Sequence, residues 1–98
     1  MKELIAGLNK IFDSRIRLGI MSVLIVNEHY DFNSLKEALD VTDGNLASHL
    51  KALEEKNMIR VNKQFIGRKP NTSYSITEEG RQAFRDHLRN LEELIKGK

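Results

Sequence analysis

The hydrophobic positions within residues 33–57 predict two short helices separated by a polar joint. Asn33 is a good N-cap for the first helix, and the apolar residues from Leu35 to Leu39 lie along one of its faces. The pattern stops at Asp40, where the polar joint begins. Two adjacent helices with a tight joint are the outline of a helix-turn-helix.

The second of these helices should begin after Thr42, a good N-cap residue, and end at Asn57, which tolerates the left-handed conformation that closes many helices. Its apolar residues recur at intervals of four and three and therefore share one face; they are Leu46, Leu50 and Leu53. The opposite face carries short polar side chains, which suit a helix whose N-terminal half enters the major groove of DNA. An ordinary helical hairpin with one buried and one solvated face would show the same pattern.

Residues 59–76 change to a period of two, which predicts a β-hairpin directly after the second helix. Turn-forming residues occupy 67–71, and Pro70, the only proline, should sit in this turn. We expect three larger side chains to brace the hairpin: Phe65, Tyr74 and Ile76. A helix-turn-helix followed by such a hairpin predicts a winged helix.

The predicted hairpin is also the most one-sided part of the chain in charge. It contains no acidic residue and a local charge of +4, contributed by Arg60, Lys63, Arg68 and Lys69. We place Arg68 and Lys69 at the wing tip, near the minor groove or its phosphates. The alternative is that they form only a soluble loop tip.

Two amphipathic helices are predicted at the chain ends, over residues 2–12 and 78–96, the latter capped by Thr77. We assign their apolar seam to a twofold dimer interface; its residues are Leu4, Leu8, Phe12, Phe84, Leu88, Leu91 and Ile95. The alternative is that the two terminal helices cover each other within one monomer. Between the first of them and the helix-turn-helix, a nearly buried helix should start at Asp13 or Ser14, and we interpret its Arg15 and Arg17 as solvated surface residues.

Three segments resemble small prokaryotic winged-helix regulators of the MarR- and ArsR-like group. They are residues 43–54 with their Ser-His-Leu core, residues 67–72, and residues 76–81, and their order and spacing match as well. The sequence departs from many relatives at Asn57 and Met58, where a glycine and a Tyr or Leu are common. Because the chain has no cysteine, the thiolate metal site of many ArsR-type sensors cannot be carried over.

Together, the patterns and the resemblance predict a mainly α winged helix-turn-helix with a two-stranded hairpin and extra N- and C-terminal helices, a double-stranded DNA partner and, from the apolar seam, a homodimer. We expect eight residues to contact DNA: Thr42, Gly44, Asn45, Ser48, His49, Lys51, Arg68 and Lys69. Asn45 is the sharpest of these predictions, because an Asn amide can pair with both N6 and N7 of adenine. The expected function is repression of transcription from a palindromic operator, with an unidentified small-molecule effector as an open question.

The composition indicates one domain of 98 residues with a modest core. Its net charge of +2 hides an uneven distribution, since residues 31–59 carry −3 while the wing carries +4. An acidic helix-turn-helix opposes nonspecific DNA binding, because phosphate neutralisation needs Lys and Arg. A winged helix that docks on another protein without touching DNA is therefore the alternative function.

Catalysis, cofactors and resident metals find little support in the sequence. Ser48 and His49 are neighbours on a helix and point about 100° apart, so they cannot form an activated nucleophile pair. The histidines form no i, i+4 pair that would hold a metal ion. The longest apolar stretch is too short to span a bilayer, and the absence of cysteine suits a reducing compartment, so we expect a cytoplasmic protein.

Overall fold

The computed structural model describes residues 2–97, which form five α-helices, a single 3-10 turn and a small antiparallel sheet. In chain order these are α1 (Lys2–Ala6), the 3-10 turn (Lys10–Phe12), α2 (Arg15–Leu24), β1 (Tyr30–Asp31), α3 (Phe32–Leu39), α4 (Asp43–Glu55), β2 (Ile59–Ile66), β3 (Lys69–Ile76) and α5 (Glu78–Ile95). The sheet order is β1-β3-β2. The predicted fold class, mainly α with a β-hairpin, is confirmed, and the short strand β1 is an addition that its two residues gave no pattern to indicate.

The N-terminal segment is not the single helix predicted over residues 2–12. The helix ends at Ala6, and the chain turns through Gly7, where a Cβ atom would lie 2.6 Å from Asn90 Nδ2. The Asn9 side chain then accepts a hydrogen bond from the Ile11 amide and caps the 3-10 turn. The break lets the chain approach α5 closely.

Phe12 and Phe84 meet inside the protomer, with ring centroids 5.3 Å apart in an edge-to-face arrangement. Phe12 is completely buried and Phe84 nearly so. These two residues therefore belong to the core, and their assignment to a dimer interface is corrected. Asn90 also donates a 2.8 Å hydrogen bond to the Gly7 carbonyl, so the terminal segments cover each other in part, as in the monomer alternative.

The core lies beneath the helix-turn-helix and is mostly aliphatic. Its buried residues are Phe12, Ile20, Met21, Leu24, Leu35, Leu46, Leu50, Leu53, Ile59, Tyr74 and Phe84. Ser14 caps α2 through a 3.3 Å bond from the Arg17 amide. The core therefore joins α2, α4, α5 and the base of the wing.

Asp31, and not Asn33 as predicted, caps α3. Its two carboxylate oxygens accept from the Ser34 amide at 3.1 Å and the Ser34 hydroxyl at 2.6 Å, and these bonds, the side-chain one foremost, lower the pKa of Asp31. The helix thus starts two residues earlier than predicted, at Phe32. Asp40 ends it in the left-handed conformation with φ of 52°.

α4 has the ends that were predicted for it. The Thr42 hydroxyl accepts from the Asn45 amide at 3.3 Å, and Asn57 follows the helix with φ of 58°. The leucine stripe at Leu46, Leu50 and Leu53 is buried. The helix is therefore fixed by its apolar face and leaves its polar face free.

The wing hairpin has a tighter turn than predicted, because only Gly67 and Arg68 connect the strands. Gly67 has φ of +66°, as a two-residue hairpin turn with glycine first requires. Pro70 lies in β3 opposite Phe65 rather than in the turn. Strand β1 pairs only at Ser73 and Tyr74, so Pro70 lies on a stretch of β3 with no third strand beside it and its missing N–H breaks no pairing there.

The wing is anchored at its base and not at its tip. Tyr74 is buried, as a bracing residue should be. Phe65 is 73% exposed, so the prediction that Phe65 braces the hairpin is wrong. Just after β3, the Thr77 hydroxyl donates to the Asn57 carbonyl at 2.7 Å and accepts from the Gly80 amide at 2.9 Å. This bond pair ties the end of α4 to the predicted N-cap of α5.

Candidate nucleic-acid interface

The N-terminal half of α4 presents a polar surface to solvent. Five residues predicted to contact DNA are exposed along it or just before it: Thr42, Gly44, Asn45, Ser48 and Lys51. At Gly44 an added Cβ would meet no atom within 4 Å, so the open space continues down to the backbone. A groove wall can therefore approach this end of the helix closely.

An ion pair partly neutralises the negative charge at the N-terminal end of α4. Lys36 Nζ on α3 lies 2.8 Å from a carboxylate oxygen of Asp43, the first residue of α4. Both side chains remain well exposed, so the pair adds little to stability. It does place a cation beside an acid that the helix N-terminus also favours, and so reduces the repulsion that a phosphate would meet.

His49 has a structural partner that the sequence did not indicate. Arg17 Nε donates to His49 Nδ1 at 3.0 Å, and Arg17 Nη1 donates to the Ile11 carbonyl at 3.3 Å. Burial lowers the pKa of His49, and the nearby Arg17 charge lowers it further. A neutral imidazole that accepts on Nδ1 carries its proton on Nε2, which is the group left for any DNA contact.

The partnership changes the interpretation of both residues. Arg17 is only partly exposed and bridges the 3-10 turn and α4, so it is not the solvated surface arginine that was expected. No local pattern could reveal it, since the two residues are 32 positions apart. The bridge holds the middle of α4 against α2.

The wing supplies the positive charge that α4 lacks. Arg60, Lys63, Arg68 and Lys69 are all exposed, and Arg68 forms half of the two-residue turn. The register places Lys69 opposite Ile66 next to the turn. The tip therefore combines two cations with the apolar side chains of Phe65 and Ile66, which are both largely exposed.

A second surface, on the terminal helices, is apolar rather than charged. Of the predicted seam, Leu88 and Ile95 are exposed, while Leu4, Leu8 and Leu91 are partly exposed. Ile5 is 57% exposed and belongs with them, although the predicted set omitted it in favour of the neighbouring Leu4. α1, the 3-10 turn, α2 and α5 also surround a cavity of about 790 Å³ whose walls include Ile5, Leu8, Leu91 and Arg15.

His87 closes the inner side of this cavity. Its Nδ1 accepts a 3.0 Å bond from the Asn9 amide, and burial lowers its pKa against the opposing pull of Asp13. Within residues 2–97 no cluster of three or more His, Cys, Asp or Glu side chains could hold a metal ion. In the same range no helix is both long and apolar enough to cross a bilayer.

Comparison with known proteins places this geometry in a family. The family model described as a winged helix DNA-binding domain matches residues 16–95. The chain is 41% identical over 87 residues to an uncharacterized protein of Methanocaldococcus jannaschii, an alignment that covers 89% of this chain and 95% of that protein.

Two solved structures are similar over most of their length. A transcriptional regulator homologue from Pyrococcus horikoshii superposes with a TM-score of 0.86 at 32% identity, covering 98% of this chain and 93% of that one. A MarR-family regulator described as putative, from Enterococcus faecalis, superposes with a TM-score of 0.75 at 23% identity, covering 89% and 77%. The chain therefore belongs to the winged helix DNA-binding domain family, as a transcriptional regulator and not as an enzyme.

Proposed function

We propose that the protein is a homodimeric repressor that binds a palindromic operator with one α4 helix and one wing per half-site. The observation that carries the proposal is the exposed polar N-terminal half of α4, held by a buried leucine stripe and followed by an acid-free wing. Asn45 and Ser48 would contact base edges, and Thr42, Gly44 and Lys51 would lie close to the groove walls. His49 would act mainly by holding α4 in position.

The wing is proposed to supply phosphate contacts. Arg68 and Lys69 are exposed at its tip, where side chains are free to reach a backbone. Because the helix-turn-helix carries −3, most of the electrostatic attraction would come from these two cations and from Arg60 and Lys63. This division assigns base reading to α4 and attraction to the wing.

The dimer is proposed to form through the apolar residues that the protomer leaves uncovered. Leu88, Ile95 and Ile5 lie on α5 and α1, and an exposed apolar seam of this kind favours self-association. Replacing Leu88 and Ile95 with Lys should leave the fold intact, since neither residue is in the core, and should give monomers in light scattering. A monomeric wild type at micromolar concentration would contradict the proposed dimer.

Base reading is tested with Asn45→Ala in gel shifts on DNA from upstream of the protein's own coding sequence and on random DNA. A bidentate Asn–adenine contact discriminates by roughly 1–3 kcal/mol, so the variant should lose preference for the specific duplex more than affinity for random DNA. Equal losses on both would remove Asn45 from base reading. No specific binding by the wild type would instead favour the alternative protein-docking module.

A small-molecule effector, if the protein responds to one, is proposed to occupy the 790 Å³ cavity. The cavity walls include residues from α1 and α5, which carry the proposed dimer seam, and from the start of α2, where Arg17 reaches α4. A ligand bound there would contact residues on both sides of this connection. It would therefore change both the geometry of the proposed dimer and the position of the recognition helix.

A further inference from the structure

The wing tip exposes two large apolar side chains that the proposed phosphate contacts do not explain. Phe65 is 73% exposed and Ile66 is 64% exposed, while the rest of the apolar residues of the wing lie nearer to the core. Adjacent exposed apolar groups of this size at a projecting tip favour contact with a partner. The partner must also accept the adjacent cations.

The charge around these residues narrows the choice of partner. Residues 60–76 contain four cations and no acid, and Arg68 and Lys69 follow the apolar pair after Gly67. A surface that is negatively charged on its rim and apolar inside is complementary to this arrangement. The minor groove of DNA has this character, with phosphates along its walls and sugars and base edges within.

The width of the hairpin determines whether the wing tip fits into the minor groove. Two paired strands lie about 4.8 Å apart before side chains are added, whereas an undistorted minor groove is only about 6 Å wide. The register sets Phe65 opposite Pro70 and Ile66 opposite Lys69, on opposite faces of the hairpin, so the tip is bulky on both sides. It can therefore enter only a groove that widens.

We propose that Phe65 and Ile66, one on each face of the hairpin, act as an apolar wedge that presses the two walls of the minor groove apart beside the α4 site and so partly unstacks the base step between them. This inference rests on the proposed DNA-binding function and adds a second source of specificity. The cost of opening a step depends on its sequence and is lowest at flexible pyrimidine–purine steps such as TA. The wing would then select deformable DNA at a position where no base edge is read.

The test uses a duplex selected by the wild type from a random pool, with a TA step at the wing position, and a second duplex with a stiff A-tract there. Wild type should bind the A-tract duplex about tenfold more weakly, equivalent to ~1.4 kcal/mol. The variant Phe65→Thr/Ile66→Thr keeps strand-forming residues and should discriminate less than about twofold. Val26→Ser is the control, because Val26 is 79% exposed but lies outside the wing and should behave as wild type.

Two further readouts separate a wedge from a charged tip. A 2-aminopurine placed at the TA step should brighten with wild type and stay dim with the Thr variant. The dependence of affinity on salt should be the same for both, since apolar side chains release no counterions. Arg68→Ala/Lys69→Ala should show the reverse, with a lower salt slope and retained preference for TA.

The outcomes that overturn the wedge are distinct from those that overturn DNA binding. If the Thr variant keeps the full preference for TA, or if 2-aminopurine stays dim with wild type, the wing does not open the step although the protein remains a DNA binder. If the Thr variant changes only the mass in light scattering, the apolar tip docks on a second chain instead. If wild type selects no duplex from the pool, the proposed function fails and the wedge with it.

Discussion

The helix α4, which is proposed to read bases, and the wing tip are both exposed, but they are held in different ways. α4 is fixed by three buried leucines and by the Arg17–His49 bond. The outer half of the wing has only its two-stranded ladder, because β1 pairs no further than Ser73 and Tyr74. A base-reading helix needs a fixed position, whereas cations that attract phosphates work over a range of distances. Changes near α4 should therefore alter the fold, and changes at the wing tip should alter only DNA binding.

The largest effect is expected at the junction that carries both regions. A Cβ at Gly80 would lie 1.9 Å from the Met58 carbonyl oxygen, so Gly80→Ala must push α5 away from the end of α4. We expect a loss of about 3 kcal/mol in the free energy of unfolding, measured by urea denaturation. The control is Gly44→Ala, where no atom lies within 4 Å and helix propensity should raise stability by up to ~1 kcal/mol. Equal stabilities of the two variants would contradict the close packing at Gly80.

Removing the brace behind α4 should have the next largest effect. Arg17→Met leaves His49 Nδ1 and the Ile11 carbonyl without their donor and should cost about 1–3 kcal/mol, nearer the lower value because the site is partly exposed. Arg15→Met is the matched control, since Arg15 is exposed on the same helix. Thermal denaturation of both variants measures the difference. If the Arg15 variant lost as much, general charge and not the bridge would be responsible.

Acid should weaken the brace as well. The pKa values of His49 and His87 are lowered in the fold from 6.5, so the unfolded chain binds more protons below that pH and stability should fall as pH drops through 6.5. The Asp31 pKa is also lowered, and its contribution is lost only in stronger acid, below 3.8. His49→Gln can still accept from Arg17 and should change stability at neutral pH by less than ~1 kcal/mol.

The same variant should flatten part of the acid dependence, measured by denaturation at a series of pH values. The remaining slope belongs to His87. An unaltered profile in the His49 variant would mean that its neutral form does not stabilise the fold.

The smallest effect on the fold, with a large one on DNA binding, is expected at the wing tip. Arg68→Ala/Lys69→Ala should change stability by less than ~0.5 kcal/mol, because both side chains are exposed. In a dimer it should lower the slope of log K against log salt by up to roughly 3.6, for four phosphate contacts. Arg85→Ala/Lys96→Ala removes the same charge from α5 and its C-cap residue and serves as the control. Parallel salt titrations for wild type and the wing variant would mean that the tip does not touch DNA.

Sequence patterns predicted best where the determinants are local. Thr42, Asn57 and Thr77 each act within a turn of their own helix, so their capping roles could be inferred from residue type and spacing. The prediction of Asn33 as the cap of α3 was wrong, because Asp31 is of an equally good capping residue type and lies two positions earlier. Asp31 is selected only by its hydrogen bond from Ser34 and by its position at the end of β1, directly before the helix.

The errors at the surfaces have a common physical origin. Phe12, Phe84 and Phe65 all show apolar spacing, yet the first two are buried within the protomer and the third is exposed at the wing tip. Periodicity assigns a residue to a face but does not say how far that face extends into the core. For Phe65 the limit is the length of β1, which supports only the base of the wing.

The sequence by itself determined the winged-helix order, the polar face of α4, the acid-free wing and the caps at Thr42 and Thr77, because each depends on residue types a few positions apart. Only the tertiary structure decided which residues meet across long separations: Arg17 with His49, Asn9 with His87, and Met58 with Gly80. These contacts depend on how whole elements pack against one another. Packing brings groups that are far apart in the chain into contact. The spacing of residue types along the sequence does not predict such contacts.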